Sequence, residues 1–324
     1  MKRRGARKEA TVSAQRRPAE FLLPTEKHSW AERLRHVLVL MARQVKGQAG
    51  IHQANHDTVR RTLIGLGPDG DHARKECGAR MVVNLSSANV ADFCRQGYKN
   101  AYDLVVPPWA ISTRVSERRD RVDRALPLPP GVSPSSVYFG ALELAGAGMR
   151  YYGDICLVLK PEAVAASTVV LDKNSFDVDR PPAVNRIRAQ PAGSQDRLRA
   201  TLLSSWSGAW GHDLAAMATI RMHEMGAASD RRWTTARIAR ALVDDEDYLE
   251  VLKQGRFGVG DIQEARLFAT DVALDAWIAS QTGQESPPRH EALIWRRQRI
   301  RAEAALRDAG IPVRVVSHLG RERN

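Results

Sequence analysis

The stretch Arg80–Gly97, RMVVNLSSANVADFCRQG, indicates the fold class of this chain. Its first part, through Leu85, is rich in valine and predicts a short β-strand. The residues from Ser86 onwards predict a small helix, which Gly97 ends because glycine readily adopts the backbone conformation found just beyond a helix terminus. A strand that leads directly into a helix is a βα unit, so the chain mixes both kinds of secondary structure.

Further strands are predicted on both sides of a region with a helical pattern. They are Val137–Leu144, Tyr151–Leu159, Thr168–Ser175, Ile262–Phe268 and Ile311–Val316. A long helix is predicted over about Glu291–Arg307, and Gly310 ends it. We therefore predict the α+β class, with a helical N-terminal region and a helical insertion in a mixed body.

The chain is predicted to have three parts. Residues 1–24 are basic and are predicted to be disordered. Residues 25–76 form a predicted helical region, whose first helix begins with Ser29 as N-cap and has Glu32 three positions later. Residues 77–324 form the predicted main domain, and its helical insertion covers about 184–250.

The composition limits the classes of function. The chain has 324 residues and a formal net charge of +12, a balance that favours nucleic acid or another polyanion as partner. No apolar run reaches the roughly 18 residues of a membrane helix, and no secretory signal is visible. We expect no membrane partner and a cytoplasmic location, in the producing cell or in a cell that receives the protein. The cysteines form no metal or disulfide pattern, and P-loop, Rossmann, nucleophile-elbow and zinc-protease motifs are absent.

A carboxylate stands in the predicted strand of the stretch Asp261–Ile278, DIQEARLFATDVALDAWI. Because side chains alternate along a strand, Glu264 and Arg266 share a face. Glu264 can face a cleft, where it would accept hydrogen bonds and stabilise positive charge, or it can form an ion pair with Arg266. The local pattern allows both interpretations.

Two pairs of aromatic residues lie in neighbouring predicted strands. They are Tyr138-Phe139 and Tyr151-Tyr152, and a turn at Gly146–Gly148 separates them. Aromatic rings in a cleft can stack on a nicotinamide or adenine ring. The alternative is packing in the core, and not all four rings can lie on one face because neighbouring side chains alternate.

Three blocks of the chain resemble, in this order, the ADP-ribosyltransferase superfamily, in particular the bacterial toxin-like branch that includes DNA-modifying members. The first block is similar to the opening strand of that fold, the second to strands of its NAD cleft, and the third to its catalytic glutamate strand. The blocks are Arg80–Gly97, the strands between Val137 and Ser175, and Ile262–Ile278. The resemblance implies a split β-sheet core in a catalytic domain at 77–324 and an enzyme that uses NAD as co-substrate without a metal.

The resemblance also assigns roles to residues. Glu264 would be the catalytic carboxylate, which faces the positive charge that develops as the bond between nicotinamide and ribose breaks. The residues implied to bind NAD are Arg80, Asn84, Tyr138, Phe139 and Tyr152. Position 262 is Ile rather than the Glu or Gln of arginine-modifying relatives, so arginine is not favoured as the acceptor.

The expected activity is transfer of ADP-ribose from NAD to a macromolecule, with nucleic acid as the first choice of acceptor. The protein would act as a toxin or effector, for which an antitoxin or immunity partner is conceivable. The arginines expected to contact nucleic acid are Arg114, Arg118, Arg119 and Arg121. Three alternatives stay open: a protein side chain as acceptor, a basic nucleic-acid-binding protein without catalysis, and a protein-interaction effector.

Overall fold

The computed structural model describes residues 64, 78–103, 115–129, 131–164, 168–209, 214–218, 248–281 and 288–317. They belong to one compact unit, Lys46–Asn324. The predicted basic tail, the helix predicted to begin after Ser29, and Arg114 lie outside the described residues.

The strands of the described part form one eight-stranded sheet. They are β1 (Arg80–Leu85), β2 (Val137–Glu143), β3 (Ile155–Leu159), β4 (Val169–Leu171), β5 (Ser207–Ala209), β6 (Glu250–Gln254), β7 (Ile262–Phe268) and β8 (Val313–Val316). Their order across the sheet is β5-β4-β6-β2-β1-β3-β7-β8. Neighbouring strands are antiparallel except for the parallel pair β7 and β8, so the sheet is open and mixed. Hydrogen bonds join neighbouring strands across the whole described sheet. The split sheet core that the resemblance implies is therefore not seen among the described strands.

Helices lie between and after these strands, in agreement with the predicted α+β class. They are α1 (Ser87–Gln96), α2 (Glu117–Arg124), α3 (Ala183–Arg188), α4 (Ala192–Ser205), α5 (Ala269–Gln281) and α6 (His290–Asp308). The βα unit predicted from Arg80–Gly97 is confirmed as β1 and α1, and the predicted long helix before Gly310 is confirmed as α6.

The ends of α1 and the start of α2 follow from local chemistry. The Ser86 hydroxyl accepts the backbone N–H of Ala88 and so caps α1. Gly97 ends α1 with φ of 73°, where a Cβ would lie 2.9 Å from the carbonyl oxygen of Phe257. At the start of α2, the Ser116 hydroxyl accepts the N–H of Arg119 at 3.1 Å, which fixes the first turn of this helix.

Several elements differ from the sequence-based predictions. Residues 150–152 form a 3₁₀ turn, so β3 begins only at Ile155. The predicted helical insertion at about 184–250 contains α3 and α4, but it also contains the short strand β5. Its last residue, Glu250, begins β6, which lies between β4 and β2 and was not predicted. Such short strands carry little local signal, and their pairing with distant strands stabilises them.

Three buried apolar clusters lie in the described part of the chain, and two of them are extensive. The larger one packs α1 and α6 against the central strands, through residues such as Phe93, Leu157 and Leu306. The smaller one packs α2, α3 and α4 against β2, β4 and β6, through residues that include Val122 and Leu203. The helix α2 is therefore anchored to the sheet by its apolar side, although its sequence is mostly charged.

Candidate active site

A cavity of about 360 Å³ opens over the centre of the sheet, above β1, β2 and β6. This size lies within the range of roughly 300–1,000 Å³ that is usual for small-molecule sites. Its walls carry many aromatic side chains together with a few charged and amide groups. The aromatic residues are Tyr98, Tyr102, Phe139, Tyr152, Phe176 and Tyr248, and the charged ones are Lys99, Arg119, Asp123 and Glu250.

Glu250 is the cavity carboxylate that belongs to the sheet itself. It lies at the start of β6, with Ala141 of β2 and Leu171 of β4 on its two sides. The residue is only 3% exposed, and its Oε2 accepts the backbone N–H of Ser175 at 2.8 Å. Burial raises the pKa of Glu250, while the positive charge of Arg119 and the hydrogen bond from Ser175 oppose that rise. Glu250 is therefore a buried carboxyl whose pKa lies above its ordinary value, and Arg119 and Ser175 limit that rise.

Arg119 places a guanidinium group at the wall of the same cavity. Its Nε donates to Asp123 Oδ2 at 2.8 Å, one helical turn further along α2. The guanidinium carbon lies 3.7 Å from the ring centre of Phe139 and 4.8 Å from that of Phe176. Among the described residues, its buried Nη2 has no hydrogen-bond partner. One donor of this arginine is thus left unpaired in the wall of the cavity.

Asp123 adds a second buried carboxylate. Its Oδ2 accepts the hydroxyl of Tyr102 at 3.1 Å in addition to the Arg119 bond. Burial raises the pKa of Asp123, and Arg119 and Tyr102 act against that rise. When Glu250 and Asp123 are both ionised, two carboxylates face one guanidinium, so these three groups carry one net negative charge. The aromatic walls of the cavity attract a positively charged ring, because cations interact favourably with aromatic faces.

Two tyrosine hydroxyls meet at the edge of the cavity. Tyr152 and Tyr248 are joined by a hydrogen bond of 3.2 Å between their oxygens. Burial, followed by the nearby charge of Glu250, raises the pKa of Tyr248. Tyr152 is half-exposed, whereas Tyr248 is buried and stands two residues before Glu250 in the same chain segment. The hydrogen bond between the two hydroxyls therefore connects a buried residue of the site with a residue at its mouth.

Asn84, predicted to bind NAD, lines the cavity, but its amide is used by the protein. The Nδ2 atom donates to the carbonyl oxygens of Ala147 at 2.9 Å and Gly153 at 3.0 Å. The Oδ1 atom accepts the N–H of Met149 at 2.7 Å. Asn84 thus positions the loop before β3, and this loop carries Tyr152 to the cavity.

The aromatic residues predicted to bind NAD do not all line the cavity, and Tyr138 and Phe139 lie on opposite faces of β2, as strand alternation requires. Phe139 and Tyr152 line the cavity, whereas Tyr138 does not. The Tyr138 hydroxyl donates to Asp103 at 2.8 Å, and burial together with this bond raises its pKa to about 12. Its ring packs edge-on against Tyr98. Tyr138 is therefore a core residue of the opposite side of β2.

Arg80 and Glu264 also lie outside the lining of the cavity. Arg80 stands four residues before Asn84, about 13 Å along β1, and its Nε donates to Gln263. Glu264 forms an ion pair of 2.6 Å with Arg266, which is the second interpretation that the sequence allowed. The catalytic role assigned to Glu264 stays a prediction, and the geometry supplies a second candidate in Glu250.

The two glutamates occupy equivalent places in the sheet. The strand register puts Glu264 of β7 and Glu250 of β6 in one cross-strand row, through Val158, Val82 and Ala141. This row spans four strand spacings, or about 19 Å in a flat sheet. The loop that follows β2 lies between the two glutamates. Arg266 donates to the carbonyls of Leu144 and Gly146 in this loop, and Asn84 donates to the carbonyl of Ala147.

The arginines of α2 predicted to contact nucleic acid are not equivalent. Arg119 points into the cavity, as described above. Arg118 pairs with Asp179 at 3.3 Å. Arg121 is exposed, and within the described residues no ion pair is seen for it.

Sequence reasoning missed Glu250, Tyr248 and Asp123 as site residues. The sequence signal for Tyr248 and Glu250 was the run Tyr248–Gln254, YLEVLKQ. Apolar and polar residues partly alternate in this run and Gly255 follows it, a pattern typical of a strand. Asp123 had no such signal, because it lies in a charged helix whose buried side becomes visible only in the fold.

A comparison with known protein families, curated proteins and solved structures finds no match to this chain. Within the described ranges, no helix is both long and apolar enough to cross a membrane. The same ranges contain no group of three or more His, Cys, Asp or Glu side chains that could hold a metal ion.

Proposed function

We propose that this protein is an ADP-ribosyltransferase that binds NAD in the cavity and uses Glu250 as its catalytic carboxylate. The observation that carries the proposal is the position of Glu250, buried in the interior strand β6 and near the charge of Arg119 in an aromatic-lined cavity. The resemblance of Arg80–Gly97 and of the strands after Val137 supports the same activity, although it pointed to a different glutamate.

The cavity fits the nicotinamide end of NAD. Its aromatic walls accept a planar ring, and aromatic faces attract the cationic form of that ring. The free Nη2 of Arg119 can donate to an oxygen of the ligand. When bound, NAD would supply the ADP-ribosyl group: its ribose carbon would exchange the bond to nicotinamide, which leaves with the electron pair, for a bond to the acceptor.

Glu250 would act in two ways in this reaction. Its second carboxylate oxygen can accept a hydrogen bond from a ribose hydroxyl, and its negative charge stabilises the positive charge that develops on the sugar. It can also take the proton that the acceptor loses. The N–H of Ser175 orients the carboxylate, and the charge of Arg119 favours its ionised form against the effect of burial.

The basic character of the chain supports nucleic acid as the acceptor. On α2 the exposed Arg121 is free to contact a phosphate backbone, whereas Arg118 is paired. A toxin or effector role follows from the same proposal, since modification of nucleic acid in a recipient cell would stop its replication or expression.

The test is a comparison of two isosteric variants, Glu250→Gln and Glu264→Gln. Purified proteins receive labelled NAD with DNA, RNA or cell extract, and both nicotinamide release and transfer of label are measured. We expect Glu250→Gln to lower both rates by about 10²-fold or more, and Glu264→Gln, which loses only the pair with Arg266, to keep them near the wild-type level.

The reverse pattern, with activity lost in Glu264→Gln and kept in Glu250→Gln, would return the catalytic role to Glu264. Absence of nicotinamide release from the folded wild-type protein would refute the transferase proposal. Circular dichroism of each variant shows whether a loss of activity reflects a loss of fold.

A further inference from the structure

The 3₁₀ turn before β3 presents two neighbouring aromatic rings to solvent. Tyr151 is 73% exposed and Tyr152 is 50% exposed. Their ring centres lie 5.2 Å apart, and the rings stand edge to face at 88°. Such a pair of exposed rings offers an aromatic surface to a partner.

The turn that carries these rings is firmly held. Tyr152 N–H donates to the carbonyl of Met149 at 3.0 Å, and Gly153 N–H donates to that of Arg150 at 3.1 Å. Arg150 forms an ion pair with the buried Asp271 of α5. The Asn84 side-chain amide also donates to the Gly153 carbonyl. The rings are thus fixed in place before any partner binds, which lowers the entropic cost of binding.

Tyr152 stands at the mouth of the cavity that holds Glu250, and Tyr151 is its neighbour in the turn. Tyr152 lines this cavity, and its hydroxyl bonds to Tyr248, which is buried beside Glu250. The exposed Lys99 lines the cavity from the loop after α1. A partner that rests on the tyrosines therefore has its reactive group near the carboxylate and a positive charge within reach of its backbone.

We propose that the exposed ring of Tyr151, with Tyr152 set edge-on beside it, forms a stacking platform for an unpaired base of a single-stranded nucleic acid, and that this base is the acceptor of ADP-ribose. The inference rests on the proposed function and specifies its acceptor. Aromatic side chains stack on bases of any sequence once the base is unstacked from its neighbours, whereas a paired base inside a duplex offers no free face. The net charge of +12 and Lys99 suit a phosphate backbone.

The transfer on this platform is chemically balanced. A nitrogen or oxygen of the stacked base forms the new bond to the ribose carbon of NAD, and nicotinamide leaves with the electrons of the old bond. The proton lost by the base passes to Glu250 or to water. No oxidant or reductant is needed.

The test measures binding of a short fluorescent single-stranded oligonucleotide by anisotropy, with the duplex of the same sequence in parallel. We expect Tyr151→Ala to weaken single-strand binding by roughly 5- to 150-fold, the value of one stacked base, and to slow transfer to the oligonucleotide. Tyr151→Phe, which keeps the ring, should bind like the wild type. Trp277→Ala is the matched control, because Trp277 is an exposed aromatic residue on α5 outside the cavity lining, 55% exposed.

The platform would be overturned if wild type and Tyr151→Ala bound the single strand with equal affinity, or if Trp277→Ala lost as much affinity as Tyr151→Ala. It would also be overturned if the wild type bound the duplex as tightly as the single strand. Label found on protein of a cell extract and not on the oligonucleotide would also overturn it. Binding that depends on Tyr151 in a protein that releases no nicotinamide would instead refute the transferase proposal and leave the platform as a nucleic-acid site. The two failures are therefore distinguishable.

Discussion

Asn84 is the residue on which the geometry of the cavity mouth depends, and Asn84→Asp tests this dependence. The native amide donates to the carbonyls of Ala147 and Gly153 and accepts from Met149, at 2.7 to 3.0 Å. The substitution changes neither size nor shape. It replaces the donor group by an oxygen, so that a buried carboxylate oxygen faces two carbonyl oxygens at these distances.

The cost can be worked from these contacts. Two donated hydrogen bonds are lost, each with a net value of about 0.5–1.5 kcal/mol. The carboxylate retains the N–H of Met149 but has no positive partner among the groups that Asn84 contacts, and an uncompensated buried charge costs about 3–5 kcal/mol. We therefore expect the free energy of unfolding to fall by about 4–8 kcal/mol at neutral pH, the sum of the two costs, which is a large part of the roughly 5–15 kcal/mol that stabilises a typical domain.

The loss should depend on pH in a defined direction. The two carbonyls favour the protonated carboxyl, so the pKa of the introduced group is higher in the folded than in the unfolded protein, where an aspartate titrates near 3.9. The folded state then binds more protons between these two pKa values. Hence the stability of Asn84→Asp, relative to wild type, falls as pH rises through that interval and recovers as pH falls.

The assay is urea unfolding followed by circular dichroism at neutral and mildly acidic pH, with Asn89→Asp as control. Asn89 undergoes the same chemical change on the exposed side of the first turn of α1, where a negative charge is neutral or slightly stabilising. A loss in Asn84→Asp below about 1 kcal/mol, or a loss that is the same at both pH values, would refute the view that Asn84 holds the loop through its amide.

Two further predictions concern the charge of the site and the turn of the platform. Burial sets the pKa of Glu250 above its ordinary value of 4.5, so nicotinamide release should rise with pH through a midpoint above 4.5. Arg119→Gln removes a charge that lowers this pKa and should move the midpoint to higher pH. An unchanged midpoint would contradict the assignment of Glu250 as the catalytic carboxylate. In Gly153→Ala, the new Cβ would lie 2.0 Å from the carbonyl carbon of Leu85, and we expect a loss of stability of about 1–3 kcal/mol or more in urea unfolding. Gly193→Ala in α4, with open space around its Cβ, is the control and should be neutral or stabilising.

The parts of the fold that could be predicted are those with a strong local pattern. The βα unit of β1 and α1, the strands β2 and β7, and the helix α6 all have periodic sequences with clear ends. The strand β5 could not be predicted, because its three residues, Ser207–Ala209, form a strand only by pairing with β4. The place of β6 at the centre of the sheet is likewise set by its partners β2 and β4, which lie far away in the sequence.

The candidate site shows the same division between local and distant information. Glu264 and Glu250 both stand in short strands and occupy the same cross-strand row, so the strand pattern alone cannot distinguish their roles. Their partners differ: Glu264 meets Arg266 two residues later on its own face, whereas Glu250 meets Arg119, which α2 brings from a distant part of the chain. A strand glutamate with an arginine at the second following position already has a local partner for its charge. That argument, available from the sequence, lowers the expectation for Glu264, but only the tertiary structure identifies Glu250 as the carboxylate whose charge faces a cavity.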